Sequence, residues 1–103
     1  MITRYVLAEV SVLASVRLYL YPGYRNSHIL FESAEYPKCW ADFHPLSDGP
    51  ILPGETGEAQ MLVKGPPEEL AAHLYINAKF SFTEGGRLYG TGVIRAIEDV
   101  SEQ

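Results

Sequence analysis

An all-β fold is what this sequence predicts, an antiparallel barrel or sandwich of roughly six strands. Three observations point there. Apolar and polar residues alternate with a period of two over several long stretches, the pattern of strands with one buried face. Nine glycines and seven prolines fall mainly between those stretches, where an all-β chain needs its turns. The run from Phe80 to Ile94 reads as a strand, a Gly85-Gly86 turn and a returning strand. Closing the sheet into a barrel would remove its exposed edges.

Each element has its own warrant. Over Arg4 to Leu13 the residues Val6, Ala8, Val10 and Val12 share one side, and Tyr5, Leu7, Glu9 and Ser11 the other. Val16 to Tyr21 alternates as well, and Pro22-Gly23 ends it in a turn. His28 to Glu32 is a short strand with Ile29 and Phe31 on one face, and Lys38 to His44 is a further strand candidate. Three prolines and three glycines make Pro45 to Gly57 a loop. Glu58 to Lys64 is a strand again. Pro66-Pro67-Glu68-Glu69 then opens one short helix near residues 67–75, with proline in the first turn and acid at the electropositive end. At about two turns it needs to dock on the body to persist. Asn77 to Thr83 turns Ala78, Phe80 and Phe82 one way, and Arg87 to Ile97 runs back. Gly90 and Gly92 inside that last strand leave room for a bend or a close backbone approach.

At 103 residues the chain is expected to form a single domain over 1–103. A composition 47% hydrophobic and 20% charged is that of a globular protein and not of a disordered one. The net charge of −5 argues against a general nucleic-acid binder, which needs a surplus of Lys and Arg to displace counterions. The lone Cys39 has no partner for an internal disulfide. No apolar run approaches the roughly 18 residues of a membrane span, and the start shows no signal-peptide cleavage pattern. Cytoplasmic residence without membrane contact is the expectation.

Four motifs, in order, resemble the third, C-terminal domain of translation elongation factor Tu. Ala8-Glu9-Val10-Ser11-Val12-Leu13 is similar to that domain's opening strand. Gly23 to Phe31, with Tyr24-Arg25, is similar to its Tyr-Arg-Pro-Gln strand entry, although Asn26 and Ser27 replace Pro and Gln. Leu52-Pro53-Gly54-Glu55 resembles its Met-Pro-Gly-Asp turn. Glu84-Gly85-Gly86-Arg87 followed by Gly90-x-Gly92 is the strongest match. The resemblance implies a six-stranded antiparallel closed β-barrel standing alone, without the GTPase domain. It also implies a surface for protein contacts and, through Glu84, Gly85 and Lys64, for transfer RNA. Two departures weaken the RNA inheritance. Ala14-Ser15-Val16-Arg17-Leu18 stands where the family carries a first Glu-Gly-Gly-Arg loop, and Pro66 to Ile76 is longer than its counterpart.

Residues with chemical potential read as structural. No phosphate-binding loop with its Gly-Lys-Ser/Thr ending exists, and the glycines of the hairpin precede no helix. His28, His44 and His73 are scattered and lack a metal-ligand spacing, so no metal and no cofactor is expected. Cys39 with His44 could form a nucleophile pair, but a buried structural thiol is the better reading. Asp42 and Asp48 fit as solvated or turn carboxylates. Arg87 serves equally as an anchor for a partner's carboxylate or as a surface partner of Glu84. Tyr19, Tyr21, Tyr24 and Tyr36 gather near the first turn as a contact patch or as strand packing.

The expected function is therefore a non-catalytic protein-binding module, not an enzyme. One version is an immunity or antitoxin protein, whose acidic charge would steer it to a basic target. Its contact residues would be Glu84, Gly85, Arg87, Lys64, Tyr24 and Arg25. A tRNA- or RNA-binding barrel is the alternative.

Overall fold

A computed structural model describes residues 1–16, 20, 24–46 and 49–98, with residues 24–26 described by their backbone alone. Six strands and one helix follow in the order β1 (Ile2–Val12), β2 (Tyr24–Phe31), β3 (Cys39–Pro45), β4 (Thr56–Gly65), α1 (Pro67–His73), β5 (Lys79–Glu84) and β6 (Arg87–Glu98). All neighbours are antiparallel, and the sheet closes on itself in the ring order β1-β4-β3-β2-β5-β6. β2, β3 and β4 are consecutive neighbours and β1 lies beyond β4, which is a Greek-key path. The barrel expectation is met, and the sandwich alternative falls.

The strands are steeply staggered. Stepping across partners from Thr3 leads to Lys64, Trp40, His28, Thr83 and Leu88. Leu88 lies two residues outside Gly90, which pairs with Val12, so one circuit climbs from Thr3 to beyond the end of β1. Bulges at Leu7/Ala8 against β6 and at Phe82/Thr83 against β6 help the sheet turn its corners.

Side chains fill the interior. The faces anticipated from alternation are the buried ones: Val6, Ala8, Val10 and Val12 on β1, Ile29 and Phe31 on β2, Phe80 and Phe82 on β5. Phe43 meets Phe82 at the centre, their ring centroids 4.9 Å apart at 46°. Met61, Val63 and Ile94 complete that layer. Among the described residues Ser27 is the buried polar exception, and its Oγ has no hydrogen-bond partner there.

Both ends are plugged. Leu70 and Leu74 bring α1 across the end where β4 finishes and β5 begins. Glu69 of the helix lies 3.8 Å from Lys38 and 3.6 Å from His73, and His73 Nδ1 is 2.6 Å from Ser33 Oγ. These contacts fasten the helix to the β2–β3 loop, the docking that so short a helix requires. At the other end Leu20 and Ile51, both buried, exchange two backbone hydrogen bonds of 2.8 Å.

Several boundaries differ from expectation. Of the Val16–Tyr21 strand, residues 17–19 and 21 lie outside the described residues, Val16 is not in a strand and Leu20 forms only an isolated bridge. The Pro45–Gly57 loop is shorter at both ends, because Pro45 closes β3 and Thr56 opens β4, and Ile51 within it is core. Asn77 takes a positive φ of 74°, so β5 starts at Lys79.

Cys39 is buried at the helix end, where a Cβ on Gly65 would collide with its sulfur. Burial first, and the negative charge of Glu69 second, push the thiol from 9.0 up to about 11. A raised thiol pKa stabilises the fold fully below pH 9, and this contribution is lost as pH rises through 11. Two pH units correspond to about 3 kcal/mol. Urea unfolding is expected to show a loss of that order between pH 9 and 11, and Cys39→Ala to lack this step. Identical slopes in the two proteins would refute the assignment.

Candidate functional site

Phe43, Phe82 and Met61 are fully buried at the centre of the barrel. Four surface features carry the candidate chemistry.

The first is the β5–β6 hairpin. Glu84 pairs with Arg87, and Gly85 and Gly86 take φ of 57° and 80°, the left-handed pair that a two-residue turn of this hand requires. Glu84-Gly85-Gly86-Arg87 is thus a hairpin tip and not a nucleotide loop. Gly85, Gly86 and Arg87 are exposed, and Leu88 beside them is 42% exposed.

The second is the wall around Lys64. Its cross-strand neighbours are Thr3 on β1 and Trp40 on β3, and Trp40 in turn pairs with His28 on β2. The Trp40 and His28 rings are tilted by 43° with centroids 5.5 Å apart. Met1, Trp40, Asp42 and Lys64 line a shallow cleft of about 330 Å³.

These two features do not meet. β4 and β5 are three places apart in a ring of six, whichever way one counts, so Lys64 and the hairpin stand on opposite sides of the barrel. The six contact residues expected from the sequence are thus not one constellation. Tyr24 and Arg25 lie on β2, next to β5, and their side chains fall outside the described residues. So do Tyr19 and Tyr21 of the tyrosine cluster. Tyr36 is exposed in the β2–β3 loop, with Lys38 Nζ 5.4 Å from its ring centre.

A third feature is a groove of about 440 Å³ across β2, β5, β6 and β1. Its outward row runs Leu30, Ser81, Thr91 and Ser11, three of them small hydroxyl residues. Glu9 stands on one wall, held by Arg95 at 3.1 Å.

The fourth is a notch of about 340 Å³ at the end away from α1, lined by Leu46, Pro50, Ile51, Glu55, Gly57 and Glu58 among others. The sequence reading missed it, as it missed Trp40 and the pairing of Trp40 with His28. Outward position on a strand was visible for Trp40. That His28 stands opposite depends on strand register, which alternation alone leaves open.

The nucleophile and metal readings find no geometry in their favour. Cys39 and His44 are five residues apart on β3, so they face opposite sides of the sheet. Among the described residues no group of three His, Cys, Asp or Glu could hold a metal ion. Among the same residues no helix is long and apolar enough to cross a membrane.

Fold and surface together define a small closed Greek-key barrel with a packed interior and its candidate groups on the outside. No protein-family model matches the chain, and no curated protein matches it either.

Proposed function

We propose that this barrel is a non-catalytic protein-binding module, similar to a detached third domain of elongation factor Tu, with the Glu84–Arg87 hairpin in its contact surface. The observation that carries the reading is the closed six-stranded barrel with a side-chain-filled centre, which leaves the outer surface for recognition. The hairpin adds to it: a tight tip with positive-φ glycines presents an exposed Arg87. Arginine is enriched among the residues that anchor interfaces. An immunity- or antitoxin-like role in the cytoplasm is the version that the net charge of −5 favours, since it would steer the module towards a basic protein.

One observation favours a second reading. The tilted Trp40–His28 pair beside Lys64 has the makings of a base-stacking platform with a cation at its edge. A single experiment separates the two. Tagged barrel and its Arg87→Glu variant are used to capture partners from a lysate of the native cell, with and without ribonuclease. A protein captured despite ribonuclease, and at least fivefold less by Arg87→Glu, is the expected result. Capture that ribonuclease abolishes would replace it with the RNA reading, and capture of nothing specific would overturn both.

A further inference from the structure

We infer that the notch beside Leu46 and Glu58 is a docking site for an apolar polypeptide segment carrying a single arginine or lysine. The inference rests on the protein-binding reading and adds a second contact and the chemistry of what fills it.

The notch is built by the meeting of two strand ends. Leu46 follows β3, and its backbone N–H donates to the Glu58 carbonyl on β4 at 2.9 Å, which sets the Leu46 side chain beside Glu58. Below them Ile51 packs beneath Gly57, where a Cβ would stand only 3.0 Å from the isoleucine side chain. That contact keeps the floor low and apolar. Leu46 is 54% exposed and Leu52, in the same loop, 43%. Leu46, a large aliphatic side chain in the open beside a concave floor that holds Ile51, makes a surface that gains by being covered.

Among the described residues, the charges that line it have one sign. Glu55 and Glu58 line the notch, and Glu9 stands directly opposite Glu58 across the β1–β4 pair. Like charges in that relation destabilise a sheet. Arg95 relieves Glu9 at 3.1 Å, but no described residue forms an ion pair with Glu58. Glu55 uses one oxygen to accept the Leu52 N–H at 3.0 Å, which tethers its carboxylate at the rim. A cation placed at Glu58 would offset its repulsion with Glu9, and its apolar neighbours would cover Leu46. Arginine fits best, because its planar fork can serve a carboxylate with two hydrogen bonds. A polyanion such as a nucleic acid would meet the wrong charge here.

The test uses the whole chain, labelled with ¹⁵N, titrated with the peptide acetyl-Leu-Ala-Arg-Ala-Leu-amide and with the same peptide carrying citrulline for arginine. The expected result is a set of amide shifts at Leu46, Thr56, Gly57 and Glu58 with the arginine peptide. The dissociation constant should rise at least fivefold with citrulline, with Glu58→Gln and with Leu46→Ser. Both variants should keep a native spectrum, since both side chains are exposed. Should Glu58→Gln alone fail to fold, Leu46→Ser and the citrulline peptide still decide. Shifts centred on the hairpin or on Trp40, equal affinity for both peptides, or no shift at millimolar peptide would overturn the inference. Any of these would leave the capture by the hairpin standing, so the two failures are distinguishable.

Discussion

Replacing Gly90 by alanine is expected to lower the unfolding free energy by about 3–5 kcal/mol, a large part of the roughly 5–15 kcal/mol available to a domain of this size. The cause lies in two surfaces that close on one backbone position. Gly90 faces inward on β6, between Val12 of β1 and Phe82 of β5. A Cβ there would press into the carbonyl oxygen of Ser11 on one side and the edge of the Phe82 ring on the other. A ring edge can swing aside, but the Ser11 carbonyl belongs to the sheet and cannot move without disturbing the β1–β6 ladder. Gly92 repeats the arrangement one pleat along, under Phe80 and against the carbonyl of Glu9. The glycines thus let the edges of two aromatic rings approach the backbone of β6 closely, a device for closing a small cylinder. Gly49→Ala is the control, since a Cβ there meets nothing within 4 Å, and it should stay within about 0.5 kcal/mol of the parent. Urea unfolding followed by far-ultraviolet circular dichroism measures both. A Gly90→Ala protein within about 1 kcal/mol of the parent would mean that the sheet does not close as described.

Gly90 and Gly92 also show what the sequence could disclose. Two glycines in an alternating strand signalled a close approach, and the approach is there. What they approach was hidden, because it depends on β1 standing beside β6, eighty residues away in the chain. The same boundary runs through the rest of the molecule. Val6, Ala8, Val10 and Val12 were legible as one buried face, since a period of two assigns faces without knowing neighbours. Leu20 and Ile51 were not legible as partners, because an isolated bridge has too few residues to set up a period. The contact residues suffered most. Glu84, Gly85 and Arg87 are together because a hairpin is local, whereas Lys64 joined them only by resemblance, and ring order places it across the barrel. The notch at Leu46 and Glu58 lay at the end of a stretch read as plain loop. Nothing local distinguishes a leucine that caps a strand from one that waits for a partner.

Truncating Phe82 to alanine should cost about 3–5 kcal/mol, and the way it combines with Gly90 gives the sharper test. Phe82 is fully buried and touches both halves of the argument: its face meets Phe43 at 4.9 Å and its edge covers Gly90. Phe82→Ala loses the transfer energy of the ring, the aromatic pairing and the filling of the barrel's centre at once. Phe82→Leu keeps most of the volume and should cost less than half as much. In the Phe82→Ala background the ring edge no longer opposes a Cβ at position 90. Gly90→Ala should then cost about 1–2 kcal/mol less than in the parent, leaving the part due to the Ser11 carbonyl. The coupling is thus expected to be favourable and large enough to measure by urea unfolding of the four proteins. Strict additivity would separate the ring from the glycine and remove the packing account of how β5 and β6 bend. An intermediate value would apportion the strain between aromatic edge and sheet backbone.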